Sequence, residues 1–253
     1  PRAGPPGPGV GADDVFEAGL GAAGQEEGLS ARDEERQHLN GWLGRRLPRG
    51  GDWVSTGAIV MSLILSISLF IDTLSAYDPL FQQTFSWSWI SLPDFTLNFG
   101  MLFDNVTALM LVVITVVSSV VHLYSTGYMK DDPRYYRYFG YLSLFSFSML
   151  GLVIVDNLFA LYIFWELVGL SSYLLIGFWF HKPEAAQAGK KAFIVNRVGD
   201  VGLFLGILII FFETNGLFQF EKIFAVVAAG QFNAEIFGIS LLTLAGIGLF
   251  MGA

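Results

Sequence analysis

The chain has 253 residues, of which 53% are hydrophobic and only 14% are charged. That balance is too apolar for a typical soluble domain and indicates a protein that crosses a membrane several times. The net charge of −8 argues against nucleic-acid binding, and the absence of cysteine excludes disulfides, thiolate catalysis and cysteine-bound metals. The three histidines (His38, His122 and His181) lie too far apart in sequence to suggest a metal site.

Residues 1–38 differ in composition from the rest of the chain. They are rich in Gly, Pro and charge and contain almost no large apolar residues, so we expect them to be disordered. The stretch "GLGAAG" (Gly19–Gly24) matches a dinucleotide-binding pattern formally, but no buried strand precedes it, and we interpret it as chance in a Gly-rich tract. We therefore separate a domain at 39–253 from this segment.

Six apolar runs follow, and each is long enough to span a bilayer, for which about 20 helical residues suffice. The predicted spans are Trp53–Ile71, Met101–Tyr124, Tyr138–Val155, Leu158–Phe180, Ala192–Phe212 and Ala234–Gly252. Only Asp156 and Asn157 separate the third span from the fourth, so these two helices are expected to be antiparallel neighbours. The sequence thus predicts an all-α polytopic membrane protein with about six transmembrane helices.

Basic residues predict the orientation of the spans. One set of connections holds nearly all of them: Arg45, Arg46, Arg49, Lys130, Arg134, Arg137, Lys182, Lys190 and Lys191. The opposite set is acidic: Asp72, Asp78, Asp94, Asp156, Glu213 and Glu221, with Lys222 as its one basic residue. By the positive-inside rule, the basic connections face the cytoplasm or an organelle's matrix.

The long connection between the first two spans predicts a β-hairpin on the outer face. "FSWSWISL" (Phe85–Leu92) alternates aromatic and polar residues, Pro93 and Asp94 supply a turn, and "FTLNFGML" follows. Trp87 and Trp89 fit an aromatic belt at the level of the lipid headgroups.

Glu166 is the least expected residue of the fourth span. A carboxylate at membrane depth costs about 2.5–3.5 kcal/mol on insertion scales, and intramembrane ionisable groups are functional by default. It shares a helix face with small and polar residues: Tyr162, Gly169, Tyr173 and Gly177. Such a face favours contact with protein over lipid. Glu166 lies eight residues from Leu158, or roughly 12 Å along the helix, too deep for its side chain to reach the surface.

Polar residues also mark the second and fifth spans. In the second they recur at helical spacing: Asp104, Thr107, Thr115, Ser118, His122 and Ser125, interrupted by Leu111. Asp104 either faces headgroup water and caps the helix or belongs to an ion path, and His122 is either a satisfied interior histidine or a proton carrier. In the fifth span Asn196 precedes Arg197 and Asp200, whose three-residue spacing permits an ion pair that is either a structural clamp or functional. Gly199, Gly202 and Gly206 form a close-packing stripe beside them.

These residues suit a proton relay. A carboxyl in apolar surroundings favours its protonated form, whereas a nearby cation favours the ionised form, so a moving cation makes the carboxyl take up and release protons. Polar stripes on neighbouring helices can hold the water that supplies those protons. No nucleophile–base pair, phosphate loop or cofactor motif accompanies them, so we expect ion movement without covalent chemistry.

Four long motifs in this order resemble the antiporter-like, proton-translocating membrane subunits of respiratory complex I, in particular the family of subunit L, or chain 5. They are "HLYSTGYM" (122–129), "DPRYYRYFGYLSLFSFSM" (132–149), "NLFALYIFWELVGLSSYLLIGFW" (157–179) and "KKAFIVNRVGDVG" (190–202). The resemblance implies an inverted-repeat fold with broken helices. It also implies that Glu166 is the central relay residue and that Arg197 and Asp200 form a second charged pair.

The resemblance also sets expectations for the whole protein. We expect a subunit of the enzyme NADH:quinone oxidoreductase, surrounded by lipid and other membrane subunits, with protons and internal water as its ligands. No cofactor is expected in this chain, whereas quinone, FMN and Fe–S clusters are expected in partner subunits. The expected location is a bacterial inner membrane. A channel subunit of a Na⁺/H⁺ antiporter and a non-transporting scaffold remain as alternatives.

The family pattern departs from this sequence at both ends. A transmembrane helix is expected where residues 1–38 stand, so we interpret that segment as non-native, from a frame shift or an artefactual start. At the other end, "LAGIGLFMGA" (244–253) leads in the family into a lysine that pairs with the glutamate. We therefore expect domain 39–253 to be truncated.

Overall fold

The structure is a computed structural model that describes residues 51–75, 78, 81–92, 95–230, 234–236 and 238–252. The predictions for residues 1–38, including Gly19–Gly24 and His38, lie outside the described residues, as do Arg45, Arg46 and Arg49. The elements in chain order are α1 (Gly51–Ser75), β1 (Gln82–Leu92), β2 (Phe95–Asp104), α2 (Asn105–Tyr128), α3 (Tyr135–Ile154), α4 (Leu158–Ile176), α5 (Pro183–Glu213), α6 (Phe220–Ala228), β3 (Glu235–Ile236), β4 (Ile239–Ser240) and α7 (Leu241–Gly252).

Five helices of the described residues, α1 to α5, are long and apolar enough to cross a membrane. The chain is therefore a multi-pass, mainly helical membrane protein, as its composition predicts. The sixth predicted span is shorter than expected: residues 235–236 and 239–240 form a small antiparallel pair, and α7 has 12 residues. Gly238 lies between these strands with φ +76°, a backbone conformation that favours glycine, and the Ser240 hydroxyl accepts from the Leu242 amide where the helix begins.

Local chemistry explains where the other helices begin. Met101–Asp104, predicted as helix, complete β2 instead, and Asp104 caps α2 by accepting a hydrogen bond of 2.7 Å from the Thr107 amide. Asn157 caps α4 in the same way through the Ala160 amide. Pro183 opens α5, where the absence of an amide hydrogen costs nothing. As a result Lys190 and Lys191, predicted in a connection, lie inside α5.

Hydrogen bonds between helices determine which ends meet. Asp52 of α1 accepts from the Tyr135 hydroxyl of α3 at 2.7 Å, so these two helices start at the same end of the bundle. Ser125, near the end of α2, is bonded to Tyr138, near the start of α3. These residues define the basic end of the bundle, which lies next to Lys130 in the α2–α3 connection. At the opposite end, the predicted antiparallel pair α3 and α4 is joined by residues 155–157.

The β-hairpin lies at the end opposite the basic one, where β1 and β2 pair antiparallel with a register shift between Ser88 and Ile90. Trp87 packs on Phe99 across the strands with ring centroids 5.4 Å apart. The Asp156 amide donates to the Gly100 carbonyl of β2, and the Phe220 amide donates to the Asp156 carbonyl. The hairpin, the α3–α4 connection and the start of α6 are thereby tied together.

Candidate proton-relay site

The predicted stripe of α4 faces α5 along its whole length. Tyr162 packs on Phe204 with ring centroids 5.6 Å apart, and Tyr173 packs on Phe193 at 5.4 Å. A Cβ on Gly189 would lie 3.4 Å from the Gly177 Cα, so the two backbones approach closely there. The expectation that this face contacts protein is confirmed. Two antiparallel helices therefore present their middle turns, and the charged residues on them, to each other.

Three charged side chains meet at the middle of this helix pair. Arg197 donates from Nη1 to Glu166 Oε2, and the same nitrogen lies 3.9 Å from Asp200 Oδ2. One guanidinium thus stands between two carboxylates, which leaves one negative charge on the trio. Oε1 of Glu166 is buried and has no hydrogen-bond partner within the described part of the chain.

Asp200 is the most enclosed member of the trio. It is buried at 5% exposure, and its Oδ1 accepts a hydrogen bond of 3.0 Å from the Trp165 indole. By contrast, Arg197 keeps 45% of its side-chain surface exposed and lies over the Phe193 ring at 4.9 Å. Because Asp200 is held in place and Arg197 is partly exposed, the distance between them can change through movement of the Arg197 side chain alone.

A cavity of about 290 Å³ opens beside Asp200, between α4, α5 and the end of α7. Its polar lining comes from Asp200, Asn196 and Ser172, and its remaining walls include Trp165 and Met251. That volume has room for several water molecules, each of which needs two to four polar partners. The site can therefore bring water to a buried carboxylate.

The predicted glycine stripe of α5 brings α7 against it. A Cβ on Gly206 would lie 2.8 Å from both the Ala245 carbonyl oxygen and the Leu249 amide nitrogen, and one on Gly199 would lie 2.9 Å from the Met251 carbonyl oxygen. Glycine is required at such distances because no side chain fits between the two backbones. The end of α7 consequently lies next to the turn of α5 that carries Arg197 and Asp200.

The stripe of the second predicted span forms the buried face of α2. Thr107, Thr115, His122 and Ser125 are all buried, and Ser118 is half-buried. Asp104 caps the helix, which agrees with the capping alternative. The Ser118 carbonyl lies 2.8 Å from Nδ1 of His122 and is its hydrogen-bond partner. His122 lies on α2, whereas the charged trio lies on α4 and α5.

Two features of the site were missed in the sequence. Arg197 is the partner of Glu166 as well as of Asp200, although 31 residues separate them in the chain. The second is Trp165, whose indole donates to Asp200 and which the sequence does not distinguish from the other aromatic residues of its span. The pairing of Glu166 with Arg197 could have been predicted from the length of the connection after Gly177. Residues of α4 and α5 that contact each other lie at nearly equal distances from that short connection. The second carried no signal, since tryptophan is common in membrane helices.

Comparison with known proteins assigns the chain to a family. Residues 89–139 match the family model described as NADH-Ubiquinone oxidoreductase (complex I), chain 5 N-terminus. Residues 155–253 match the model described as NADH:quinone oxidoreductase/Mrp antiporter, TM. The chain belongs to the family of antiporter-like membrane subunits.

Its curated relatives include chain 5 proteins of chloroplasts. NAD(P)H-quinone oxidoreductase subunit 5 of Carpenteria californica is 45% identical over 203 residues, which cover 79% of this chain and 27% of that protein. The subunit 5 of Anthoceros angustus is 53% identical over 171 residues, which cover 65% of this chain and 23% of that protein. The chain thus spans about a quarter of the length of these relatives.

Two solved structures share the fold at low sequence identity. The membrane-bound sulfane sulfur reductase, an archaeal respiratory membrane complex, aligns over 85% of this chain and 41% of its own with a TM-score of 0.67 and 17% identity. The Mrp complex from Dietzia sp. DQ12-45-1b aligns over 85% of this chain and 22% of its own with a TM-score of 0.60 and 19% identity. At these identities the likeness supports the antiporter-like fold alone.

Proposed function

We propose that the chain is part of a proton-translocating membrane subunit of NADH:quinone oxidoreductase, which couples quinone reduction to proton pumping. The names of the subunit 5 relatives support the enzyme assignment. The observation that carries the proton-transfer role is the trio itself, in which two carboxylates share one guanidinium within a membrane helix pair. A site with one uncompensated negative charge in apolar surroundings has a strong tendency to bind a proton or a further cation.

The geometry supplies a mechanism for loading and unloading. While Arg197 pairs with Glu166, the Glu166 carboxylate is stabilised as an anion. If Arg197 moves toward Asp200, Glu166 loses its counter-charge and takes a proton from water, which the cavity beside Asp200 can hold. The return of Arg197, or the approach of another cation to Glu166 Oε1, expels that proton. Glu166 is thus the proposed relay residue, and Arg197 and Asp200 determine its charge state.

The proposed setting rests on the family resemblance and on the positive-inside rule. The subunit would lie among other membrane subunits of the complex in a bacterial inner membrane, with its Lys/Arg-rich connections in the cytoplasm, although the two relatives described above are chloroplastic. We place quinone, FMN and Fe–S clusters in partner subunits. Among the described residues no group of three His, Asp or Glu side chains could hold a metal ion.

The proposal is tested by Glu166→Gln in the complete subunit within the assembled complex. We expect NADH-driven proton pumping in membrane vesicles to fall strongly, because an amide cannot exchange the proton, while the amount of assembled complex stays unchanged. Glu184→Gln is the matched control, since Glu184 lies exposed in the first turn of α5. Unimpaired pumping at normal assembly would refute the role of Glu166.

A Na⁺/H⁺ antiporter subunit is the second candidate, because the model matching residues 155–253 describes Mrp antiporters as well. Carboxylate oxygens also suit Na⁺. A Na⁺ dependence of transport, with no dependence on NADH, would favour the antiporter. Loss of assembly alone in both the Glu166→Gln and Asp200→Asn variants, with transport per complex unchanged, would favour a non-transporting scaffold.

A further inference from the structure

A group of buried polar atoms at the interface of α1, α2 and α3 has no partner among the described residues. They are Asp52 Oδ1, Thr56 Oγ1 and Ser119 Oγ. All three side chains are more than nine-tenths buried. A buried polar atom without a hydrogen bond costs about 1–3 kcal/mol, which an internal water molecule removes.

Other buried hydroxyl groups of the same helices are satisfied locally. Thr115 of α2 donates to the Leu111 carbonyl at 2.7 Å, and Ser148 of α3 donates to the Leu144 carbonyl at 2.7 Å. A buried hydroxyl in a membrane helix therefore has a partner available in its own backbone. Thr56 and Ser119 do not use that partner, so their hydroxyl groups are free to bind water.

The unpartnered atoms lie between the basic end and the middle of the bundle. Asp52 is in the first turn of α1 and accepts the Tyr135 hydroxyl through Oδ2. Thr56 lies one turn further along the same buried face of α1. Ser119 lies nine residues from the end of α2 at Tyr128, or about 13 Å along the helix at 1.5 Å per residue.

Hydrogen-bonded pairs between α2 and α3 also lie between the basic end and the middle of the bundle. Ser125 and Tyr138 are 3.1 Å apart, and Ser146 donates to Ser118 at 3.3 Å. Polar contacts from three helices thus follow one another from the basic end to the middle of the bundle. Together with the unpartnered oxygen atoms, these pairs offer polar partners of the kind that a buried water needs.

His122 lies inside this polar region, at 1% exposure. Its Nδ1 faces the Ser118 carbonyl at 2.8 Å, and because a carbonyl oxygen can only accept, Nδ1 carries a hydrogen. Nε2 of the neutral ring is therefore the acceptor and the atom at which a proton can be added. The ring of His122 lies 6.2 Å from that of Phe139, which contacts Tyr135 and Tyr138 of α3. Tyr135 in turn donates to Asp52 of α1, so these are the titratable groups that the described contacts connect to His122.

We propose that α1, α2 and α3 enclose a hydrated proton inlet, separate from the Glu166 trio, that runs from Asp52 at the basic end past Thr56 and His122 to the Ser118–Ser146 pair. Its ligands are water and protons, which pass along the bound water and through Nε2 of His122. This inlet rests on the proposed function, because a protein that moves no protons has no use for it.

The decisive experiment compares two substitutions at Thr56 in the complete subunit of the assembled complex. Thr56→Val keeps the volume and removes the hydroxyl, whereas Thr56→Ser keeps the hydroxyl and leaves a small cavity. If Thr56 binds transported water, Thr56→Val lowers NADH-driven proton pumping by more than about twofold and Thr56→Ser retains it. If Thr56 has only a packing role, the order is reversed, because valine fills the site and serine does not. Thr73→Val on the same helix is the matched control and leaves pumping unchanged, because the Thr73 hydroxyl already donates to the Leu69 carbonyl at 2.8 Å.

A labelling measurement decides the question if the Thr56 variants assemble poorly. Residues 1–253 contain no cysteine, so Ser119→Cys adds the first thiol to this part of the subunit with a minimal change of shape, and the parent complex without that thiol gives the background labelling. A thiol in contact with water ionises and reacts, whereas a thiol in lipid does not. We expect a small cationic methanethiosulfonate, added at the basic end, to modify the Ser119→Cys variant at least about tenfold faster than a Val120→Cys variant, whose side chain lies exposed on α2. Equal rates would overturn the inlet.

Different variants test the proposed inlet and the proposed relay, so one proposal can be refuted without the other. Glu166→Gln tests the relay without touching α1, α2 or α3. A loss of pumping in Glu166→Gln together with normal pumping in Thr56→Val would remove the inlet and leave the relay intact. Normal pumping in Glu166→Gln would remove the relay, and labelling at Ser119 would then report water without transport.

Discussion

At the scale of single residues, the electrostatics of the relay site depend on how one guanidinium is divided between two carboxylates. Asp200 is buried and receives a neutral donor from Trp165 at 3.0 Å, so part of its charge is already stabilised. Because that hydrogen bond stabilises the Asp200 carboxylate, Asp200 attracts Arg197 less strongly, and Arg197 can pair with Glu166. Trp165 is thus a positioning residue for the trio.

Replacing the indole tests this balance. Trp165→Phe removes the donor while keeping an aromatic ring, and a hydrogen bond to a charged group is worth about 1.5–3 kcal/mol. We expect a lower melting temperature of the assembled complex and reduced proton pumping, since Arg197 is drawn toward Asp200. Trp53→Phe is the control, because Trp53 is 70% exposed on α1. An unchanged melting temperature and unchanged pumping for Trp165→Phe would contradict the positioning role.

Within each helix the candidate site was predictable from residue spacing, whereas the contact between helices also needed the length of the connection between them. Glu166, Arg197 and Asp200 stand out because ionisable residues are rare in apolar spans, and the spacing of Arg197 and Asp200 predicts their contact directly. The pairing of Glu166 with Arg197 depends on how two helices align, which spacing within either helix does not contain. Trp165 is invisible for the same reason, because its role exists only once Asp200 is placed opposite it.

At the scale of elements, the seam between α5 and α7 depends on glycine. Gly206 and Gly248 each face the backbone of the other helix, with a Cβ on Gly248 lying 2.8 Å from the Gly202 carbonyl oxygen. Leu203, Ile207 and Ala245 belong to the same buried cluster. In lipid, association of helices relies on such close packing, because burial of apolar surface gives little advantage over contact with lipid tails.

Adding one methyl group to the seam tests that dependence. Gly206→Ala places a Cβ against backbone atoms that cannot rotate away, and overpacking of this kind costs about 1–3 kcal/mol. We expect less assembled complex and a lower melting temperature. The matched change Gly57→Ala in α1 meets no atom within 4 Å and should stabilise its helix by up to about 1 kcal/mol. A Gly206→Ala complex as stable as Gly57→Ala would show that the helices are not held by this contact.

Elements were predicted best where apolar runs are long and connections short. The two residues between the third and fourth predicted spans require neighbouring antiparallel helices, and α3 and α4 pack in that way. Boundaries were less predictable, because Met101, Leu102 and Phe103 at the end of β2 are as apolar as the helix that follows, and only the Asp104 cap separates them. Likewise α5 continues back to Pro183 through Lys190 and Lys191, since charged residues outside the hydrocarbon remain compatible with a helix.

At the scale of the whole molecule, many polar side chains are buried beside the apolar core, while large apolar side chains cover much of the exposed surface. Large apolar side chains on α2 are exposed opposite its polar face, among them Val106, Leu109, Val113, Val117 and Val120. This distribution is the inverse of that in a soluble protein and fits lipid as the surrounding medium. Because lipid would surround the apolar sides of these helices, the two ends of the bundle are the places where it meets water.

The direction of transport therefore depends on which end faces the cytoplasm, and thiol labelling measures this against the background of the parent complex, since residues 1–253 contain no cysteine. Asp131 is exposed in the basic connection between α2 and α3, and Ser88 is exposed on the hairpin at the opposite end. With single thiols from Asp131→Cys and Ser88→Cys, a membrane-impermeant maleimide should label the Ser88 variant in intact cells. It should label the Asp131 variant only in inside-out vesicles, because basic connections are retained in the cytoplasm. Each variant serves as the control for the other, and the reverse pattern would place Asp52 and the inlet on the outside, where a pump would discharge protons through it.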